Sequence, residues 1–175
     1  MHKSHIFRIV LLLVILYIGY TYISKNIEAH KQQNVAAVAG AANQKAGAPA
    51  LYPNPALTPG AVLPVTAAQV CVPGYSGTVR NVPQSEKLQV YAEYGVSYPE
   101  PHGSYEVDHF ISLELGGSND IQNLWPEPAQ PVPGFHEKDK AENYLHAEVC
   151  AGRMTLSEAQ VEISTDWYGV YQKIR

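Results

Sequence analysis

Between Tyr105 and Lys140 the chain carries a carboxylate, an amide and two imidazoles in the order Asp108, His109, Asn123, His136. These are the parts for metal-assisted cleavage of a phosphodiester. Such an ester resists attack because it is anionic and its leaving group is poor. Cleavage needs a deprotonated water, neutralised phosphate charge and a stabilised leaving oxygen. A divalent ion supplies the last two, and a neutral imidazole near its own pKa supplies the first. By residue chemistry Asp108 suits the metal as a hard anionic oxygen, and His109 suits the general base. Asn123 can accept from a ring N–H of His109 and fix its tautomer, or turn its oxygen to the metal. His136 is the candidate second metal ligand, with Asp139 and Glu142 on the same helix as alternatives. Each residue alone has an ordinary explanation: a surface ion pair for Asp108, a half-buried strand position for His109, a turn for Asn123. Their joint occurrence around strand, turn, strand and helix points to a site.

The elements that must position these residues can be read from pattern. Tyr105–Leu113 and Ile121–Trp125 read as the two strands of a hairpin, turned at Gly116-Gly117. Regular pleating sends Asp108 and His109 to opposite faces, so one site for both requires the strand to end, twist or bulge there. His136–Cys150 reads as a helix with Leu145 and Val149 inward and Gly152 beyond its end. Thr155-Leu-Ser-Glu158 is a capping box for a last helix reaching about Tyr171. Its stripe Leu156, Ala159, Ile163, Trp167 and Val170 is read as core. Shorter helices are expected over Ala67–Cys71 and Glu86–Tyr94. Trp125 is read as core, His146 as a surface or packing residue, and His102 as a solvated loop residue. Glu114 and Glu127 are read as solvated or structural. The fold class is therefore α+β, a hairpin with helices packed about it.

The pattern resembles the HNH endonuclease superfamily. The shared residues are the Asp108-His109 pair, the Gly-Gly-Ser-Asn-Asp loop at 116–120, Asn123-Leu124, and His136 with Lys138 two residues on. The resemblance implies a ββα-metal core, a hairpin plus helix around one divalent ion. It places the catalytic roles on His109 and Asn123 and the metal on Asp108 and His136. More narrowly, Leu57 to Trp167 is similar to small secreted or membrane-anchored bacterial HNH-like proteins. Colicin-type members carry a further helix His four residues after the last motif His, where this chain has Lys140. A carboxylate, one His and water suit Mg²⁺ or Mn²⁺, with Zn²⁺ the alternative. The activity implied is hydrolysis of DNA, or of RNA, with little sequence preference. The alternatives are a non-catalytic nucleic-acid or metal-binding module on a retained ββα fold, and a hydrolase of another envelope phosphodiester.

Charge bears on the partner. From Gly60 onward there are seven Lys or Arg against fifteen Asp or Glu, a net of −8. A long-lived nucleic-acid complex needs a basic footprint. Any contact with DNA must then be transient and through the backbone, with Arg80, Lys138 and Lys140 as the substrate-binding candidates.

The remaining chain gives an address. Ile9 to Ile23 is free of charge, and with Ile6 and Phe7 and a snorkelling Arg8 it is long enough for an uncleaved signal anchor. Residues 1–23 are thus expected to form one transmembrane helix, and 24–56, rich in Ala, Gln, Asn, Gly and Pro, a flexible tether. The domain is expected over 57–175. Lys3 and Arg8 against Lys25 and Lys31 nearly tie the positive-inside comparison. The two cysteines, Cys71 and Cys150, are expected to pair outside the cytoplasm and favour export of the C-terminal part. The expected location is a bacterial inner membrane, single-pass, with the domain periplasmic; secretion after cleavage is the alternative.

Overall fold

The structure, a computed structural model, describes Tyr17 and residues 51–175. The anchor expected over 1–23, Tyr17 apart, and the tether up to residue 50 lie outside the described residues. Among the described residues no helix is long and apolar enough to cross a membrane.

Three short helices precede the hairpin: α1 (Ala67–Val70), α2 (Tyr75–Val79) and α3 (Gln84–Glu93). Strands β1 (Tyr105–His109) and β2 (Leu124–Pro128) pair antiparallel, with Asp108 opposite Trp125 and His109 opposite Leu124. Two long helices follow, α4 (Phe135–Cys150) and α5 (Leu156–Ile174). Helix and a small two-stranded sheet together make the expected α+β class. Helix α2 lies in a Gly- and Ser-containing stretch without helical periodicity and was not anticipated.

The core lies between α4 and α5. The stripe on α5 packs Ala159, Ile163, Trp167 and Val170 against Ala141, Leu145 and Val149 of α4, with Ile111 and Leu115 from the hairpin loop. The capping box starts α5: Thr155 Oγ1 accepts from Glu158 N at 3.2 Å, and Thr155 N donates to Glu158 Oε2 at 2.8 Å. The helix does not run unbroken. Asp166 leaves helical geometry and accepts from Gly169 N at 3.1 Å, so it caps a second segment. A Cβ on Gly169 would lie 2.1 Å from the Asp166 carboxylate. Leu51 and Tyr52, which composition places in the tether, pack on this core, and Leu51 O accepts from Trp167 Nε1 at 2.7 Å. A second cluster places Val90 and Tyr91 of α3 on Val107 and Leu124 of the hairpin.

The Cys71–Cys150 disulfide is present and closes 79 residues of chain. On the chain-entropy model a loop of that length stabilises by about 4.5 kcal/mol.

The segment between the strands is more folded than a hairpin turn. Pairing stops at His109, and what was expected to be strand beyond it is irregular, with a 3₁₀ turn at Leu113–Leu115. The expected start of the second strand is a further 3₁₀ turn, Ile121–Asn123. Gly117 sits so close to Ile111 that an added Cβ would fall 1.8 Å from its carbonyl oxygen. Residues 60–63 run alongside, with Leu63 N donating to Gly116 O at 2.8 Å and Ser118 N to Ala61 O at 3.0 Å.

Asn123 ties this segment together. Its Oδ1 accepts from Ile111 N at 3.0 Å and from Ala61 N at 3.4 Å. Its Nδ2 donates to Ile111 O and Ser118 O, each at 2.9 Å. Every donor and both acceptor sites of the amide are in use. Asn123→Ala would strand three buried backbone groups, each worth about 1–3 kcal/mol unpaired. The expected loss is at least about 3 kcal/mol, seen as a lower urea midpoint at unchanged slope. A shift below about 0.5 kcal/mol would show that the amide does not hold the loop.

Candidate functional site

Helix α4 faces the hairpin along the line Phe135, Lys138, Ala141, Glu142, Leu145, Val149, all buried. That line follows from helical spacing of three and four. It passes through Lys138 and leaves His136 on the exposed side of the first turn, its ring 4.3 Å from that of Phe135. Gly134 opens the helix; a Cβ there would meet Pro128 O at 2.4 Å, and its N–H donates to Glu137 Oε2 at 3.0 Å.

The side chain that reaches Asp108 is Lys138. Its Nζ, with no exposed surface, donates to Asp108 Oδ2 at 2.8 Å, to His109 O at 2.9 Å, and to Glu142 Oε1 one helical turn on. Glu127 Oε2 of β2 lies 3.4 Å away. All three ammonium hydrogens are used, so Lys138 has none to offer a substrate phosphate. This corrects the expectation that Lys138 binds substrate: it sits on the buried stripe of its helix.

One cation thus faces three carboxyl groups, and their titration divides accordingly. Burial works to raise Asp108, but the charge and hydrogen bond of Lys138 outweigh it and hold this carboxyl below its ordinary value. Burial pushes Glu127 well up, more than Lys138 offsets, and neither of its oxygens has a hydrogen-bond partner. Burial pushes Glu142 up to about 8 against the pull of Lys138. Burial works to lower Lys138 itself, and Asp108, Glu127 and Glu142 together raise it well above the usual lysine value. Burial thus favours the neutral forms of Glu127 and Glu142, while Lys138 favours the charged form of Asp108.

His109 occupies the other face of β1. Only 2% of the residue is exposed. Its Nε2 lies 3.1 Å from Asn119 Oδ1, which can only accept, so Nε2 carries the proton. Its Nδ1 is buried without a hydrogen-bond partner, 4.0 Å from Asp108 Oδ1. Burial holds the imidazole below its ordinary value, more than the Asn119 hydrogen bond and Asp108 restore. The amide that fixes the tautomer is therefore Asn119, not Asn123, whose hydrogen bonds all go to backbone. Asn119 is itself held, donating to Val79 O at 2.8 Å and accepting from Asn81 N at 3.1 Å.

An ion held on Asp108 Oδ2 as expected would have to displace the Lys138 ammonium, and His136 lies on the exposed side of α4. Among the described residues, the group with three ligand-type atoms within 4.8 Å of one another is Cys71, His146 and Cys150, which includes neither Asp108 nor His136. Arg80 is exposed and lines a cleft of about 160 Å³ with Ser76, Ser112, Glu114, Asp139 and Glu142. Neither Asp108 nor His109 lines it. Lys140 is exposed, near Glu137 Oε1 at 3.5 Å and 5.6 Å from the Tyr171 ring centre.

Two predictions follow from the cluster. Lys138→Met leaves Asp108, Glu127 and Glu142 without their cation and is expected to cost about 3–5 kcal/mol, as removal of one buried partner does. The loss should be smaller at pH 5, where the acids can take protons, than at pH 8. In the parent chain, Glu142 titrates near 4.5 when unfolded and near 8 when folded. The folded state therefore holds the extra proton between those values, and stability falls as pH rises from about 5 to about 8. Glu142→Gln should shrink the fall in urea midpoint over that range; an equal fall would assign the dependence to other groups. The chain matches no family model, no curated protein and no solved structure, so the geometry of these residues carries the functional reading.

Proposed function

We propose that this chain is a non-catalytic binding or scaffold module on an HNH-type ββα framework, displayed outside the cytoplasm on its N-terminal anchor. The observation that carries the reading is the buried Lys138 ammonium on Asp108. A lysine there brings its own cation to the place the resemblance assigns to a metal ion, and it has no free hydrogen for a phosphate. The net of −8 from Gly60 onward agrees, since it disfavours the polyanion a nuclease must hold. The disulfide agrees with an oxidising location.

A second reading, a phosphodiester hydrolase that works without a bound ion, is favoured by one observation. His109 Nδ1 carries a free lone pair beside Asp108. It would need an opening of the hairpin loop to admit water.

One experiment separates the two. The full-length chain in mild detergent is incubated with supercoiled plasmid, with RNA and with a small aryl phosphodiester. Each is tested with Mg²⁺, Mn²⁺, Zn²⁺ or chelator. The expected result is no turnover above buffer in any condition, and the same for His109→Ala. Turnover that survives chelator and disappears in His109→Ala would establish the second reading. Turnover that requires Mg²⁺ or Mn²⁺ would overturn both.

A further inference from the structure

His146 and Cys150 stand one turn apart on α4, and Cys71, just beyond α1, lies against them. One ligand-type atom from each of the three falls within 4.8 Å of the others. His146 Nε2 is 3.4 Å from Cys150 Sγ and 3.0 Å from Val70 O. His146 Nδ1 is 4.0 Å from Glu114 Oε2. Cys150 is exposed and the His146 side chain is 28% exposed, so reagents can reach the group. As a disulfide the sulfurs cannot act as thiolate ligands. Two thiolates and an imidazole held this close are otherwise a donor set for a thiophilic divalent ion.

We propose that Cys71, His146 and Cys150 form a redox-gated zinc site, closed by the disulfide and opened by its two-electron reduction. The reductant is an external dithiol. Its thiolate attacks Cys71 Sγ, the Cys71–Cys150 bond breaks, and Cys150 leaves as a thiolate toward the His146 N–H. The second thiol of the reductant attacks the mixed disulfide, loses its proton to solvent and releases Cys71. The dithiol ends as a disulfide, and the protein has gained the two electrons. Zinc then takes both sulfurs as thiolates, releasing any protons they carry. His146 Nε2 gives up the hydrogen it points at Val70 O and becomes the third ligand. A proton moves to Nδ1, which faces Glu114, so this carboxylate orients the ligating ring. The fourth position is left for water. Glu114 is a positioning residue here and touches no ion.

The inference stands independently of the functional reading above. The test compares the full-length chain oxidised and reduced with a phosphine, under anaerobic conditions, by zinc titration against a chromophoric chelator. The reduced chain should bind one equivalent at least about 100-fold more tightly than the oxidised chain. His146→Ala should weaken that binding about tenfold or more, and Glu114→Gln about tenfold. Cobalt in place of zinc should give thiolate charge-transfer bands in the reduced chain and lose intensity in His146→Ala. Near-UV circular dichroism follows the fold. A reduced chain that loosens and is restored by zinc supports the site. Equal zinc binding in the two redox states would overturn it. So would unchanged affinity in His146→Ala, or a reduced chain left unfolded by zinc.

Discussion

A single buried ammonium sets the relation between the hairpin and the helix behind it. Lys138 Nζ touches β1 through Asp108 and the His109 carbonyl, lies near β2 through Glu127, and is bound within α4 by Glu142. Charge interactions are strong where water is excluded. Desolvation is strong too, and a buried pair is worth having only if every hydrogen and lone pair is placed. Here the three N–H groups are all placed, and burial raises Glu127 and Glu142 toward their neutral forms. The helix cannot slide along the hairpin without breaking this set. Because α4 is fixed, so is the surface on which Ile163 and Trp167 of α5 pack.

The strand pleat governs the chemistry left to the site. Asp108 and His109 are adjacent in sequence yet point to opposite faces, one toward the Lys138 cluster and the other toward Asn119. Strand pairing ends at His109 without a bulge, and only His109 Nδ1 and Asp108 Oδ1, 4.0 Å apart, approach one another across the strand edge. The imidazole is neutral and has the tautomer a base requires, but its free nitrogen is enclosed. Charge and base are both present and neither is presented to the cleft, which is lined instead by Arg80, Ser112, Glu114, Asp139 and Glu142.

Much of this was legible in the sequence. The capping box at Thr155, the apolar stripe of α5, the existence of the hairpin though not its bounds, and the α4 helix follow from local chemistry and spacing, and the pairing of Cys71 with Cys150 from there being only two cysteines in a chain read as exported. The identity of the residue facing Asp108 was also legible, since the stripe through Leu145 and Val149 extends back by fours and threes to Lys138. It was obscured because His136 offers a familiar ligand atom and Lys138 does not. The choice between Asn119 and Asn123 could not be read in advance. Both lie in one short loop, and which amide meets His109 depends on two 3₁₀ turns and on the close approach of Gly117 to Ile111, contacts that no local pattern encodes. The break at Asp166 is subtler: the apolar spacing continues through it, and only Asp followed three residues later by a glycine hints at a new cap.

The same accounting applies to the cations that could meet a phosphate. A phosphate needs donors that are free or cheaply freed. Lys138 would have to give up a carboxylate or a backbone carbonyl for each hydrogen it lent, exposing a buried acid in exchange. Lys140 lies beside Glu137 and near the Tyr171 ring. Among the residues lining the cleft, Arg80 is the cation, and it shares that space with three acids. An approaching polyanion would meet those acids beside the arginine, and burial is the main cause that raises the carboxyl groups of Glu114, Asp139 and Glu142. This cleft thus sets three acids beside one guanidinium, which is not the basic footprint that a long-lived nucleic-acid complex needs.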